Sequence, residues 1–265
     1  MKNYVISLKN AKNRREHISQ QFSKQDIDFK FFDAVTPISS AEVAKKLAIN
    51  ITNTSLSPNE IGCLLSHVSV WQHALASDLP YIGVFEDDIY LSKDAHMFLS
   101  NSQWIDRNWH IVKVEKINAE ISKMQNITKK HHHTIGELKS PHLGGGGYIL
   151  SKHAAQSLLA FVQNTLPDHV DQLIFNQYFA LNNLKIYQIN PTLCIQDCIL
   201  YPNSQQFTSY LQWRENQSAP TKITLTGIKK LKRELTRPFK KVYLNLTDRK
   251  TKLIFIELTH YLNET

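Results

Sequence analysis

Tyr81-Ile82-Gly83-Val84-Phe85-Glu86-Asp87-Asp88-Ile89-Tyr90-Leu91 is a short apolar run that ends in three consecutive carboxylates. Two unit charges about 5 Å apart repel by roughly 0.8 kcal/mol in water, and by several times that in a partly buried site. Three acids at the end of one strand therefore call for a compensating cation. Oxygen ligands with no Cys or paired His beside them in the sequence suit Mg²⁺ or Mn²⁺, which also bridge phosphate oxygens. The plain alternative is a solvated turn. Position favours the cation, because ligands of open α/β sheets bind outside the carboxyl ends of the strands, where this run places its acids.

Outward from that stretch, short β-rich runs alternate with helical patterns, which predicts an α/β sheet. Tyr4-Val5-Ile6-Ser7-Leu8 reads as a first strand buried on both faces. Lys9 to Arg15 lead into a polar helix through about Lys24, so Arg14 and Arg15 sit near the end of that first strand, placed to meet phosphate or else solvated. Asp28 to Val35 reads as a second strand with Asp33 near its end. Residues 39–56 read as a short helix and a polar loop. The next helix is the most strongly signalled. Ser57 as N-cap, Pro58 at the first helical position and Glu60 three residues after the cap form a capping box. Ile61, Leu64, Leu65, Val68, Trp71 and Leu75 give it an apolar stripe, with Glu60, His67 and Trp71 along one flank.

After the acidic strand, residues 93–104 suggest a short helix and His110 to Glu115 another strand. Lys116 to His142 is polar and without clear period, and its His131-His132-His133 reads as part of a solvated loop, a lid or a variable insert. Gly144 to Gly147 precede a strand at Tyr148-Ile149-Leu150 and a helix capped by Ser151. This run is not a P-loop, since no Lys-Ser/Thr follows, and it fails the dinucleotide pattern because Ile149 stands at the third glycine position. It permits close backbone approach to a flat ligand, or an irregular turn that side chains would block. Pro167-Asp168-His169-Val170-Asp171 opens a helix in which Asp171 is either a dipole-favoured first-turn acid or a catalytic carboxylate. Leu184 to Ile189 is a further strand. Beyond it, Tyr201, Phe207, Tyr210 and Trp213 are available to cover an acceptor site.

The chain of 265 residues is long enough for a full core, and 42% of it is hydrophobic. No run of about 18 apolar residues and no leader pattern is present, so the expectation is a cytosolic protein. Cys63, Cys194 and Cys198 are odd in number, with Cys63 on a predicted helix, which argues against a disulfide framework; Cys194 and Cys198 lack partners at zinc spacing and read as packing residues. The net charge of +8 is concentrated at one end. Of 31 Lys and Arg and 23 Asp and Glu, eleven basic and two acidic residues fall between Lys222 and Lys252, so that segment is +9 and the rest −1. Leu225, Ile228, Leu231 and Leu235 lie on one face of a helix whose other faces carry Lys229, Lys230, Lys232 and Arg233, until Pro238. This basic amphipathic tail, residues 216–265, suits either an anionic membrane surface or docking on a body spanning residues 1–215.

In order and spacing, Tyr4 to Leu8 with Arg14-Arg15, Glu60 to His67 with Trp71, Val84 to Asp88, the Gly147-to-Ser151 step and the acid after Pro167 resemble glycosyltransferase family 25. Those are bacterial lipooligosaccharide glycosyltransferases related to collagen galactosyltransferases. The resemblance covers about residues 3–175. It implies a GT-A-type, Rossmann-like nucleotide-sugar fold with a mostly parallel central sheet. Glu86-Asp87-Asp88 would stand at the Asp-x-Asp motif, with Asp88 and Glu86 holding Mn²⁺ or Mg²⁺ on the diphosphate of a UDP-sugar. Arg14, Arg15, Asp33 and Asp87 would serve the donor. Glu60, His67, Gly146, Gly147 and Tyr148 would shape the acceptor side or the pocket. Relatives often place the acid closer to the proline than Asp171 is to Pro167, which leaves open whether Asp168 or Asp171 is the equivalent; Asp171 is the first and Asp168 the second candidate general base.

The implied reaction is transfer of galactose or glucose from a UDP-hexose to a lipooligosaccharide core acceptor. Inversion is expected from the family's largely β-linked products. The expected location is the cytoplasmic face of the inner membrane, reached through the basic tail. A metal-dependent phosphohydrolase on the same acids would instead cleave phosphoester without saccharide. Nucleic-acid binding is disfavoured, because the tail has few aromatics and no recognised binding motif.

Overall fold

The computed structural model describes residues 1–116, 121–181, 183–207 and 252–255. Its order is β1 (Lys2–Ser7), α1 (Lys12–Ser23), β2 (Phe29–Asp33), α2 (Ser40–Lys46), α3 (Pro58–Leu75), β3 (Tyr81–Glu86), β4 (Ile89–Leu91) and α4 (Ala95–Leu99). There follow β5 (Ile111–Lys113), β6 (Glu115–Lys116), β7 (Ile121–Lys130), β8 (His133–Leu138), β9 (Gly147–Ser151), α5 (Lys152–Gln163) and α6 (Val170–Gln172). A π-helical turn (Leu173–Tyr178), β10 (Ile186–Asn190), β11 (Cys194–Gln196), α7 (Asp197–Leu200) and β12 (Lys252–Phe255) complete it.

The main sheet has the order β12-β7-β8-β10-β5-β9-β3-β1-β2. β1, β2, β3, β5, β7 and β10 run one way, and β8, β9 and β12 the other. The expected α/β architecture with a mostly unidirectional sheet is present, with one reversed strand, β9, inserted between β3 and β5. The side chains alternate as a strand between two layers requires. Tyr4 and Ile6 join the core on the α3 and α5 face, while Val5 packs with Phe22 of α1 on the other. Ile82 and Val84 repeat the division against Tyr81 and Phe85. Full burial of a side chain such as Phe85 stabilises the fold by roughly 1.5–3 kcal/mol.

The capping box forms as expected. Ser57 Oγ accepts from the Glu60 amide, and Glu60 Oε2 accepts from the Ser57 amide at 2.6 Å. Of the apolar stripe, Leu64, Leu65, Val68 and Trp71 are fully buried, as is His67. Ser151 caps α5 by accepting from the Ala154 amide at 3.0 Å.

A second, three-stranded sheet, β4-β11-β6, positions the site. β3 runs into β4, β5 into β6 and β10 into β11, so three main-sheet strands continue past their carboxyl ends into the small sheet. The acidic turn lies in the seam between the two. It also lies at the switch point where the chain, having placed β2 on one side of β1, places β3 on the other, the crevice where open sheets take ligands.

Two expectations are corrected. The polar stretch read as a loop contains the β7–β8 hairpin, which turns at His131, φ 51°. Its ten-residue first strand alternates too weakly in hydropathy to be recognised. Lys252–Phe255, assigned to the tail, pairs with β7 as an antiparallel strand. The basic helix read from Leu225 to Leu235, and Tyr210 and Trp213, lie outside the described residues. Among the described residues no helix is long and apolar enough to cross a membrane.

Candidate active site

Arg14 is carried to the acidic turn by α1, which is itself tied to β4. Gln21 Oε1 accepts from the Leu91 amide at 2.9 Å, and His17 Nε2 meets the Ile89 carbonyl at 2.8 Å. Arg14 Nη1 lies 2.5 Å from Asp87 Oδ1 and 3.7 Å from Asp88 Oδ2. With Arg14 only 9% and Asp87 7% exposed, one of the three acids is neutralised by a buried guanidinium. Such a pair is costly to break, because either partner alone would be an uncompensated buried charge.

The other two acids share a neutral donor. Gln196 Nε2, from β11, lies 2.7 Å from Glu86 Oε2 and 3.4 Å from Asp88 Oδ1. Both carboxylates thus converge on one point, held there by an amide that carries no charge. Burial, with the Glu86 charge next, pushes the Asp88 carboxyl up to about 7 against the opposing pull of Arg14. This is a site short of positive charge.

Glu86 is also approached from α3. His67 Nε2 is 3.4 Å and Cys63 Sγ 3.9 Å from Glu86 Oε1. The expectation of no Cys or His near the acids is therefore corrected, since α3 brings both from about twenty residues upstream. Their protonation leaves them as donors. Trp71 Nε1–H donates to the Tyr148 hydroxyl oxygen at 2.8 Å, and that hydroxyl lies 2.9 Å from His67 Nδ1. The indole being a donor only, the self-consistent assignment runs Tyr148 O–H to Nδ1 and Nε2–H to Glu86. Burial pushes the Cys63 thiol well up, with Glu86, Asp171, Asp88 and Glu60 adding to the effect, so the sulfur keeps its proton. Cys63, His67 and Glu86 each offer a ligand atom within 4.8 Å of the others, while Glu86 and Asp88 offer an oxygen-only set on the side of Gln196. The oxygen pair of Glu86 and Asp88 fits Mg²⁺ or Mn²⁺.

The glycines are close-packed against the protein. A Cβ on Gly146 would meet Gln196 Cγ at 2.9 Å, and one on Gly147 would meet Cys194 Sγ at 2.4 Å. Gly144 turns the chain with φ 91°. Its amide donates to Asp171 Oδ2 at 2.9 Å, while Asp171 Oδ1 accepts from the Gln172 amide at 2.8 Å. The close backbone approach made possible by glycine is thus to side chains that shape the seam.

The remaining sequence-predicted residues are more dispersed. Arg15 donates to the Ser7 and Leu8 carbonyls, meets Asp33 Oδ1 at 2.5 Å and lies over the Phe31 ring, tying β1 to the exposed end of β2. Glu60 caps α3 and lies 3.5 Å from His169 Nε2. Asp168 Oδ1 accepts from the His169 amide, and its Oδ2 from Gln177 at 2.7 Å.

Sequence reasoning missed Gln196, Cys63 and the buried pair Lys113 and Glu115. Lys113 Nζ donates to the Leu143 and Gly144 carbonyls at 2.6 and 2.8 Å, and Glu115 Oε2 accepts from the Gly147 amide at 3.0 Å. The pair thus holds the glycine run at both ends. Burial pushes Glu115 up to about 7 although Lys113 opposes it. The signal for these two was opposite charges two residues apart in an apolar run. Gln196 had no local signal.

A model described as glycosyltransferase family 25 (LPS biosynthesis protein) matches residues 1–174. A putative glycosyltransferase of Haemophilus influenzae is 36% identical over 239 residues, covering 89% of this chain and 84% of that protein. The lipooligosaccharide biosynthesis protein lic2B of the same organism is 32% identical over 262 residues, 92% of this chain and 96% of its own. The lacto-N-neotetraose biosynthesis glycosyltransferase LgtE of Neisseria meningitidis is 35% identical over 210 residues, 74% of each chain.

Proposed function

Since the chain belongs to glycosyltransferase family 25, we propose that it transfers a hexose, galactose or glucose, from a UDP-sugar to a saccharide of lipooligosaccharide or lipopolysaccharide core. Membership makes it a glycosyltransferase and removes the phosphohydrolase reading. The observation that carries the finer reading is the convergence of Glu86 and Asp88 on the Gln196 amide, at the switch-point edge of the sheet. Asp88, with Glu86, would hold Mn²⁺ or Mg²⁺ there. When bound, such a cation acts as a Lewis acid on the leaving diphosphate.

The chain's own residues do the rest. Arg14 holds Asp87 in place and keeps a positive charge beside the diphosphate position, with Arg15 and Asp33 at the neighbouring strand ends toward the nucleoside. The Trp71–Tyr148–His67 chain fixes Glu86 so that its second oxygen stays turned to the seam. Lys113 and Glu115 hold the backbone from Leu143 to Gly147, which keeps Gly146 and Gly147 close to Gln196. Asp171, whose two oxygens are oriented by the Gly144 and Gln172 amides, takes the proton of the acceptor hydroxyl in an inverting displacement. Asp168, tied to Gln177, is the second candidate.

Residues 1–215 would form the catalytic body. The basic segment beyond would rest on the anionic cytoplasmic surface of the inner membrane, where each basic residue contributes about 1 kcal/mol.

The test is UDP-hexose consumption by purified protein with lipooligosaccharide core and Mn²⁺. Asp88→Ala is expected to lower turnover by more than about 10²-fold, the scale of losing the main charge stabilisation of a leaving group. Full turnover by the variant, or none by the parent with any common UDP-hexose, contradicts the reading.

A further inference from the structure

At the tip of the β7–β8 hairpin, away from the acidic turn, one His ring nitrogen is buried and has nothing to bond. His133 is fully buried and its Nδ1 lies 2.7 Å from the Pro191 carbonyl. A carbonyl only accepts, so Nδ1 carries the proton and Nε2 keeps its lone pair. That lone pair has no hydrogen-bond partner, and it points at Asp94 Oδ2, 3.7 Å away. Two acceptors thus face each other without a hydrogen between them.

A third group converges on the same oxygen. His132 Nε2 is 2.9 Å from Asp94 Oδ2, and the two imidazoles lie with centroids 4.4 Å apart. One ring nitrogen from each His and the Asp94 oxygen all lie within 4.8 Å of one another. In a tetrahedral site with metal–ligand bonds of about 2.0–2.1 Å, neighbouring ligand atoms are roughly 3.3 Å apart, which falls between the two distances to Asp94. Asp94 occupies the N-cap position of α4 but makes no side-chain cap bond, so its carboxylate is not needed by the helix. His133 has the protein-held Nδ1–H that metal-binding histidines use to fix tautomer and orientation. His132 is half-exposed, which leaves an entry path and room for a water as fourth ligand.

We propose that Asp94, His132 and His133 form a Zn²⁺ site that clips the β7–β8 hairpin to the start of α4. Two imidazoles and a carboxylate suit a borderline cation such as Zn²⁺ better than the hard Mg²⁺ or Mn²⁺ suited to Glu86 and Asp88. Through the His133 bond to Pro191, the clip also steadies the segment that leads into β11 and Gln196. Adjacent histidines serve one ion here because His132 lies in the turn and His133 begins a strand, so they need not alternate as in a regular element.

The experiment uses untagged full-length protein stripped with chelator and titrated with Zn²⁺ alone, read by calorimetry and by thermal melting. It is run on the parent, on Asp88→Asn to silence the acidic turn, and on His132→Ala and Asp94→Asn. His132 is exposed enough that its truncation leaves the core intact. Parent and Asp88→Asn are expected to take up one equivalent and melt at a higher temperature with Zn²⁺. The two clip variants are expected to bind more than about tenfold more weakly and lose that rise. Co²⁺ in place of Zn²⁺ should give the intense visible bands of a four-coordinate ion in the parent and not in His132→Ala. No uptake by the parent, equal uptake by His132→Ala, or uptake lost only in Asp88→Asn would each overturn the proposal. None of these readouts depends on sugar transfer.

Discussion

Two strand ends on either side of β1 pair arginine with carboxylate to opposite effect. At the end of β2, Arg15 meets the largely exposed Asp33, one charge against one, with the guanidinium also satisfied by the Ser7 and Leu8 carbonyls. At the end of β3, one buried guanidinium, Arg14, lies 2.5 Å from Asp87 and 3.7 Å from Asp88, a single cation against three acids, and Glu86 and Asp88 share an uncharged amide. The first arrangement is balanced in charge. The second carries a charge deficit, which on the proposed reading a divalent cation would remove. A count of carboxylates and arginines does not separate a structural pair from a site; the balance of charge under burial does.

The largest expected effect that would break this contrast is on turnover. Glu86→Gln is expected to cost at least about tenfold in kcat, and Asp33→Ala much less. Equal losses would mean that the two strand ends play similar parts.

Next in size is the network behind Glu86. Tyr148→Phe leaves the Trp71 N–H and the His67 Nδ1 without their shared partner in a fully buried place, which should destabilise the protein by about 1–3 kcal/mol in denaturant melts. A cost near zero would mean that the hydroxyl is not the hinge of the chain.

The pH dependence sharpens the comparison. Asp88 is raised to about 7 from an unfolded value near 4, so the folded state binds its proton more tightly. Stability from this group is therefore lost as pH rises from about 4 through 7, on the order of 1–3 kcal/mol. Metal-free Asp88→Asn should then melt above the parent at pH 8, with the difference vanishing toward pH 4. A difference that grows toward acid would reverse the sign and refute the charge deficit.

The smallest effect is expected at the balanced end, where Asp33→Ala should change stability by less than about 1 kcal/mol, as exposed ion pairs do. A larger loss would make the β1–β2 edge more than a surface pair.

What was legible in the sequence follows from how local each signal is. The capping box of α3, the apolar β1 and β3, and the acids at the end of β3 are contiguous patterns, and each formed where it was read. Glu60, His67 and Trp71, read along one helix flank, are all buried. The β7–β8 hairpin was missed because its polar first strand lacks a two-residue alternation. Gln196 and Cys63 were missed because their part in the site depends on β11 and α3 meeting β3 in space, which no local pattern encodes. The meaning of the glycine run also waited on the fold. Its free space is taken by Gln196 and Cys194, which lie about fifty residues away.

The most direct test of the central claim is Mn²⁺ binding to the nucleotide-free protein, followed by electron paramagnetic resonance with the parent, Asp88→Asn and Asp33→Asn. One bound Mn²⁺ per chain in the parent and in Asp33→Asn, lost in Asp88→Asn, is the predicted result. Unchanged Mn²⁺ binding in Asp88→Asn would contradict the account.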